Sequence, residues 1–329
     1  MNFPITNVVP SPDDLRDLEF RPIPAMFSDV VSLRPWNGLV RNQRRQGSCV
    51  AQTIANIGEL FLTRAGRPEV LSPQWIYDLA RIMEDRRGKP GLSNLRDALK
   101  VGQKWGIPLE SEYPAREDDS QPVADPLSLT DVAASAATRK FDRYERIDVS
   151  LMADGTDPYV PLIRSALAQG CPLALAMRLG KKFRDVAGPL DDQRYLVCGV
   201  PGNEWIGNHA MMMCEWRASA CYGVDENTWD RWWGDEGLFA HSQVVLIDVT
   251  EMWAVRGFAG IYMQPTYPRA VIKEYCDLCI AAHPDDIEAG ARAIWEGMRE
   301  HGITSDQVEA ANEWPAGSIE RYTREKGWA

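Results

Sequence analysis

The cysteine at position 49 places the strongest requirement on any fold of this chain. Cys49 follows Gly47-Ser48 directly and opens a segment with helical spacing, and Gln43 stands six residues before it. Asn208-His209 and Asn227 lie far downstream. The first turn of a helix is the positive end of the helix dipole and stabilises a thiolate. A histidine that the fold brings to the same place takes the thiol proton. We therefore expect a fold that joins the start of one helix to a distant histidine.

The first half of the chain has the pattern of a helical unit. Val50, Ile54, Ile57 and Phe61 recur at helical spacing and predict a buried helix over 49–64. A proline after Ser72 occupies a favoured first-turn position and predicts a second helix. The second, third and fourth predicted helices cover 73–84, 93–105 and 159–170. The polar stretch 116–129 is expected to be a loop between two lobes.

The second half has a different pattern. A strand is predicted over 172–177, and short apolar runs broken by glycine and polar turns follow over 209–263. These runs are 211–213, 244–247 and 260–262. They indicate an antiparallel sheet or a small barrel. The expected fold class is therefore α+β, with a helical unit, a β-rich unit and a cleft between them.

The two ends of the chain differ from the middle. Residues 1–30 are rich in proline and acidic residues and predict an arm over the surface. Residues 31–267 form the expected main domain. Residues 268–329 predict an acidic helical extension, with one helix over 287–298 that stops at Gly302 and another from Ser305. From Ala270 onward the chain has 6 Lys/Arg and 12 Asp/Glu, a net charge of −6. Such an extension binds a partner or caps its own domain, and both readings stay open.

Composition excludes several functions. The net charge of −11 and the pI near 5.0 argue against binding to a phosphate backbone, so no nucleic acid partner is expected. The sequence has no apolar run long enough to span a bilayer, and its first ten residues lack the pattern of a secretory signal. Seven cysteines without regular spacing give no disulfide framework. We therefore expect reduced thiols and a cytoplasmic or otherwise reducing compartment.

Three blocks of the sequence resemble a known family, the papain-like cysteine peptidases. The first is 40–49, which resembles that family's loop before the nucleophile. The second is Asn208-His209-Ala210 followed by Met-Met-Met-Cys, and the third is the tryptophan- and glycine-containing block 227–237. The residues that precede the first block resemble the corresponding residues of bacterial members without a long inhibitory propeptide. The resemblance covers about residues 10 to 265 and leaves out the extension.

The resemblance implies a two-lobe fold, with a helical left lobe and an antiparallel, β-barrel-like right lobe. It implies hydrolysis of peptide bonds in a peptide or protein substrate, without a cofactor. Cys49 would be the nucleophile, His209 the base, and Asn227 the residue that orients the imidazole. Gln43 and the backbone N–H of Cys49 would hold the oxyanion. The supporting residues would be Trp229, which shields the histidine from water, together with Asn208 and Ser48.

The sequence departs from the family pattern at several positions. Gln46 replaces the first cysteine of the family signature, Val50 replaces its aromatic residue, and Asp230 stands at a usual glycine. Cys49 and His209 are 160 residues apart, against about 130–150 in that signature. The glycine wall of the substrate groove is matched only loosely, by Gly88 and Gly91.

Two other interpretations of the sequence are considered in addition to an enzyme. Cys276, Cys279 and His283 have helical spacing, but a tetrahedral metal site needs a fourth ligand, so buried helix thiols are favoured and no metal is predicted. The other interpretation is a structural or binding component of a larger assembly, such as a phage tail protein in a virion, that retains this fold in active or latent form. Its neighbours would contact the arm and the acidic helices.

Overall fold

The computed structural model describes residues 8–22, 29–85, 91, 94–119, 125–149, 159–181, 183, 204–218, 222–242, 246, 248–262, 269–301 and 303–328. The helices are α1 Cys49–Arg64, α2 Pro73–Met83, α3 Leu95–Lys104, α4 Thr130–Ala136, α5 Tyr159–Ala168, α6 Arg269–Ala281, α7 Ile287–His301, α8 Ser305–Asn312 and α9 Ser318–Glu325. The strands are β1 Val30–Ser32, β2 Phe141–Arg146, β3 Leu173–Gly180, β4 Trp205–Arg217, β5 Tyr222–Glu226, β6 Leu238–Ser242, β7 Val249–Phe258 and β8 Ile261–Tyr262.

Helix α1 is the centre of the molecule. Its residues from Cys49 to Leu62 are all buried, including the polar side chains of Gln52, Asn56 and Glu59. It contacts α2 and α3 on the helical side and β4 and β7 of the sheet. A helix that is buried all round needs partners on every side, so α1 lies between the helical unit and the sheet.

The strands of the described chain form one antiparallel sheet in the order β2-β7-β3-β4-β5-β6, with β1 paired to β4 and β8 paired to β7. Strand β4 carries His209, which lies opposite Met177 of β3. Strand β5 follows β4 and ends at Glu226, directly before Asn227. Neighbouring strands of the sheet therefore position the histidine and the asparagine.

The helices and strands predicted from periodicity are present with small changes in their bounds. In α2, Pro73 is the first residue, and the Ser72 hydroxyl accepts a hydrogen bond from the backbone N–H of Trp75. In α3, the Asn94 side chain accepts from the backbone N–H of Asp97. These caps explain why the two helices begin where they do. The run 244–247 lies outside the described residues except for Leu246, and Gly302 also lies outside them.

Residues 8–22 cross the surface of the folded chain. The backbone N–H of Ser11 donates to the Glu251 carboxylate of β7 at 3.2 Å. Further on, the N–H of Phe20 donates to the carbonyl of Arg146 in β2 at 2.8 Å. Ser11 and Phe20 therefore contact strands β7 and β2 at one edge of the sheet, whereas Val8 contacts Asn208 of β4. The division of the chain at residues 30 and 267 stays a prediction.

Helices α6 to α9 have a small apolar core of their own. It contains Ile272, Cys276, Ile294, Met298, Val308 and Ile319, and it joins the rest of the chain through Ala168 of α5 and Val31 of β1. The thiol of Cys276 is buried in this core, whereas Cys279 is only half-buried and His283 is exposed. Both cysteines therefore pack in or against this core.

Two general features of the described residues concern the cysteine thiols and the length of the helices. Five cysteines lie among them, and each of those five is a free thiol: Cys49, Cys171, Cys214, Cys276 and Cys279. Cys198 and Cys221 lie outside the described residues. Within the same part of the chain, each helix is too short or too polar to cross a lipid bilayer.

Gly106 gives a test of the packing between the segment after α3 and the end of α4. It follows α3 with φ +83°, and a Cβ there would lie 1.9 Å from the carbonyl oxygen of Ala136. We expect Gly106→Ala to destabilise the protein by about 2–5 kcal/mol, because left-handed strain adds to overpacking. Gly66 is the matched control, since it has φ +70° with open space around a Cβ. Gly66→Ala should cost about 1–2 kcal/mol. Urea unfolding measures both, and equal losses would contradict the steric argument.

Candidate active site

Cys49 is the first residue of α1, as the sequence analysis predicts. The backbone N–H of Ala210 is a hydrogen-bond partner of its thiol, and Ala210 directly follows His209 on β4. The start of α1 therefore lies against the part of the sheet that carries the histidine. Two residues that are 160 positions apart in the sequence are brought to one place.

His209 and Asn227 are joined by a short hydrogen bond. Nε2 of the imidazole lies 2.6 Å from Oδ1 of Asn227, and the backbone N–H of Thr228 donates to the same oxygen at 2.7 Å. A backbone N–H requires an acceptor, so the contact with Thr228 identifies this atom as the oxygen of the amide. Nε2 must therefore be the donor. The neutral ring then has a lone pair on Nδ1, which has no hydrogen-bond partner among the described residues.

Aromatic rings cover the His209–Asn227 hydrogen bond. The Trp229 ring lies 5.1 Å from the imidazole at an angle of 40°, and the Phe183 ring lies 6.1 Å from it. Trp233 packs on Phe183 at 4.6 Å, and its indole N–H donates to the Phe183 carbonyl. These rings exclude water, and a hydrogen bond is stronger in the lower local dielectric that results.

Gln43 is connected to the same segment as Asn227. Its Oε1 accepts from the hydroxyl of Thr228 at 2.7 Å, and its backbone N–H donates to the carbonyl of Thr228 at 2.9 Å. Its Nε2 donates to the carbonyl of Gln46 at 2.9 Å. An amide nitrogen has two hydrogens, and the contact with Gln46 uses one of them.

The two supporting residues next to Cys49 and His209 have different surroundings. Ser48 is buried before α1 and does not cap the helix with its side chain; its carbonyl accepts from the backbone N–H of Gln52. Asn208 donates from its amide to the carbonyl of Val8 at 2.8 Å, so it binds the N-terminal stretch rather than His209 or Asn227.

The structure describes only one of the two glycines predicted to line the substrate groove. Gly88 lies outside the described residues. Gly91 has φ +84° with open space around a Cβ, and its backbone N–H donates to the hydroxyl of Tyr77 at 2.9 Å. The contacts of Gly91 therefore connect it to α2, and its role in substrate binding stays a prediction.

Burial determines the charge state of the Cys49 thiol and the His209 imidazole. Burial raises the pKa of the Cys49 thiol to about 11, although backbone N–H groups of Ala210, Val50 and Cys49 itself act in the opposite direction. Burial also lowers the pKa of His209 to about 4, against the opposing effect of Asn227. Both groups are therefore neutral at pH 7. The expected lowering of the thiol pKa by the helix start is wrong for this closed arrangement, because the loss of water outweighs the helix dipole.

Three residues of this site are absent from the sequence predictions. Thr228 lies inside the Asn-Thr-Trp block, and its hydroxyl and N–H orient Gln43 and Asn227. Phe183 has no sequence signal, because only the tertiary fold places it over the imidazole. Glu226 is buried beside Asn227, where a glutamate is rare unless it has hydrogen-bond partners.

Comparison with known proteins gives structural relatives. No family model matches the sequence, and a search of curated proteins also finds no match.

Solved structures with the same fold include three proteases from different organisms. Xylellain, a cysteine protease from Xylella fastidiosa, is 19% identical over 76% of this chain and 95% of its own, with a TM-score of 0.63. The procathepsin B S9 of Trypanosoma congolense is 14% identical over 76% and 85%, with a TM-score of 0.57. The digestive procathepsin L 3 of Tenebrio molitor is 16% identical over 73% and 74%, with a TM-score of 0.51. The chain therefore has the α+β, two-lobe fold of the papain-like cysteine proteases.

Proposed function

We propose that this protein is a cysteine peptidase that hydrolyses peptide bonds with Cys49, His209 and Asn227. The observation that carries the proposal is the tautomer of His209. Asn227 holds the proton on Nε2, so the basic nitrogen is Nδ1, in a ring directly beside the contact between Ala210 and the Cys49 thiol. The fold of solved cysteine proteases adds support.

The reaction begins with proton transfer from Sγ of Cys49 to Nδ1 of His209 while sulfur attacks the scissile carbonyl carbon. The carbonyl electrons move to oxygen, and the oxyanion is held by the backbone N–H of Cys49 and by Nε2 of Gln43. Each such donor contributes about 10²–10³ in turnover. Collapse of this intermediate breaks the C–N bond, and the leaving amine takes the proton from the imidazolium.

The second half of the reaction releases the acid. His209 takes a proton from water while the water oxygen attacks the thioester carbon. The C–S bond then breaks, and the sulfur recovers its proton from the imidazolium. Asn227 keeps the ring in place through both half-reactions, since it accepts from the same Nε2–H in the neutral and the charged ring.

The described state is closed. Cys49 is 1% exposed and His209 is 0% exposed, so a substrate carbonyl reaches the sulfur only after neighbouring segments move. This burial favours a latent resting form over a site that is open at all times. This burial and the lack of a hydrogen-bond partner for Nδ1 of His209 among the described residues also favour the alternative, a structural component of an assembly that retains the fold without turnover.

A covalent probe separates these possibilities. The intact protein is treated at pH 7 with an epoxysuccinyl peptide, which alkylates activated thiols, and the labelled residue is mapped by mass spectrometry. We expect one label on Cys49 among the seven cysteines, because the proposal makes Cys49 the thiol that His209 activates. Iodoacetamide on the unfolded protein is the control and should label all seven. The structural alternative is supported if the folded protein takes no label on Cys49 in buffer and still takes none in mild denaturant that loosens the cleft.

A further inference from the structure

Two residues beside the proposed active site have a left-handed backbone although neither is glycine. Arg44 directly follows Gln43 and has φ +53°. Asp230 directly follows Trp229 and has φ +77°. Residues with a side chain rarely adopt this conformation, because Cβ then lies too close to the following carbonyl oxygen. Such a backbone persists only where surrounding contacts hold it in place.

The side chain of Asn42 contacts both residues. Its Oδ1 accepts a hydrogen bond from the backbone N–H of Arg44 at 2.8 Å, and its Nδ2 donates to Oδ2 of Asp230 at 3.0 Å. The N–H of Arg44 requires an acceptor, which fixes the orientation of the Asn42 amide. The other carboxylate oxygen of Asp230 accepts from the backbone N–H of Arg231 at 2.6 Å. The Asn42–Asp230 contact therefore pairs one donor with one acceptor, and backbone N–H groups orient both side chains.

The backbones of 41–43 and 228–230 also pair, as a short antiparallel ladder with Asn42 opposite Trp229. Two backbone hydrogen bonds of 2.9 Å each flank this pair, one from Asp230 to Arg41 and one from Gln43 to Thr228. The Asn42–Asp230 contact thus adds a side-chain connection to two segments that are already joined through their backbones.

This ladder connects two parts of the proposed active site. Gln43, the proposed oxyanion donor, belongs to the segment 41–43. The segment 228–230 directly follows Asn227, whose Oδ1 lies 2.6 Å from Nε2 of His209. The register of the two segments therefore sets the position of the oxyanion donor relative to the imidazole.

We propose that Asn42 and Asp230 are positioning residues, whose contact holds Gln43 in register with Asn227 and His209. Asp230 stands at a usual glycine of the papain-like family. A glycine would adopt the left-handed backbone more easily, but it has no side chain to bind Asn42. This inference rests on the proposed function. It assigns the carboxylate at position 230 a role in that function.

The test exchanges the two side chains. Asn42→Asp alone places two carboxylates against each other, and Asp230→Asn alone places two amide N–H groups against each other, because backbone N–H groups hold the other ends. The double variant Asn42→Asp/Asp230→Asn restores one donor and one acceptor in the reverse order. Its net charge equals that of the wild type, so charge alone does not explain a recovery. Asparagine also tolerates the left-handed backbone at position 230.

We expect kcat for peptide hydrolysis to fall about tenfold in each single variant, with KM within about twofold of the wild type. The oxyanion forms only in the transition state, so a displaced donor lowers kcat rather than substrate binding. The double variant should return to within about twofold of the wild-type kcat. Circular dichroism establishes that each protein is folded at the assay temperature.

Asp230→Gly separates positioning from stability. Glycine adopts φ +77° without strain, and this gain offsets the greater freedom of the unfolded chain, so urea unfolding should change little. The value of kcat should still fall about tenfold, because Asn42 loses its acceptor. Glu313→Gln is the matched control. Glu313 is also an acidic residue with a left-handed backbone, φ +58°, and its exposed carboxylate pairs with Arg269 at the distant end of α8. This change should leave kcat as it is.

A second readout does not need turnover. In protein with ¹⁵N-labelled histidine, the proton NMR signal of the His209 ring N–H reports its hydrogen bond to Asn227. This signal should shift in both single variants and return in the double variant. A double variant that recovers neither kcat nor the ring signal overturns the inference. Wild-type kcat in Asp230→Gly also overturns it, and this comparison decides even if a single variant does not fold.

The two proposals fail in different ways. Suppose that the wild type hydrolyses no peptide and takes no probe label on Cys49, while the ring signal follows the exchange of side chains. The Asn42–Asp230 contact then orients the imidazole as inferred, and the proposed function alone is wrong.

Discussion

Cys49→Ala abolishes peptide hydrolysis, with an expected fall in kcat of about 10⁵–10⁶-fold, the size found when a nucleophile of this kind is removed. The residual rate should equal the background, because a methyl group cannot attack a carbonyl. The fold should survive, since the change deletes one buried sulfur in a helix and alanine has the highest helix propensity. Hydrolysis of a fluorogenic peptide and far-UV circular dichroism measure the two effects.

Cys171→Ala is the matched control for this experiment. Cys171 is also a free thiol that is 1% exposed, but it lies before β3 and its sulfur contacts the carbonyl of Gln169. Its loss should leave kcat within about twofold while it costs a similar amount of stability. Hydrolysis in Cys49→Ala at the rate of the Cys171→Ala protein would show that another group performs the attack.

His209→Ala is expected to lower kcat by about 10³–10⁵-fold at pH 7. The reason is the acidity of the thiol. With a pKa of about 11, only about one sulfur in 10⁴ is ionised at pH 7 in the absence of a base. The remaining reaction then depends on that thiolate, so the rate should rise about tenfold per pH unit up to pH 9. The wild type should lack this rise.

The dependence of the hydrolysis rate on pH distinguishes a His209→Ala protein that has lost its base from one that has lost its fold. His283→Ala serves as control, because His283 is exposed at the end of α6 and away from the aromatic rings around His209. It should leave the profile unchanged. Suppose that the His209→Ala protein keeps its native circular dichroism, loses little of its hydrolysis rate and shows no dependence of that rate on pH. His209 would then not be the general base.

Local signals account for what the sequence predicted well. The bounds of α1 follow from an apolar stripe that starts at Cys49, and those of α2 follow from Ser72 and Pro73, whose effects act within one helical turn. The blocks around His209 and Asn227 were found by resemblance, and the fold places both beside the start of α1. The order of the motifs along the chain and the local residue patterns were enough to predict these features.

Features that depend on distant partners could not be predicted. Strand β2 has four charged residues among six, and it is a strand because β7 supplies its hydrogen bonds. The predicted direction of the Cys49 pKa shift is wrong, because the helix start is a local property whereas burial is set by the whole fold. The burial of Glu226 is of the same kind, since its partners lie 170 and 189 residues away.

The enclosed position of the Cys49 sulfur has a consequence for the lifetime of the molecule. Peroxides oxidise the thiolate, not the thiol, and they do so at accessible sulfur. A sulfur that is both hidden and protonated escapes this chemistry while the cleft is closed. Oxidation of Cys49 therefore requires the same opening of the cleft that the proposed reaction requires.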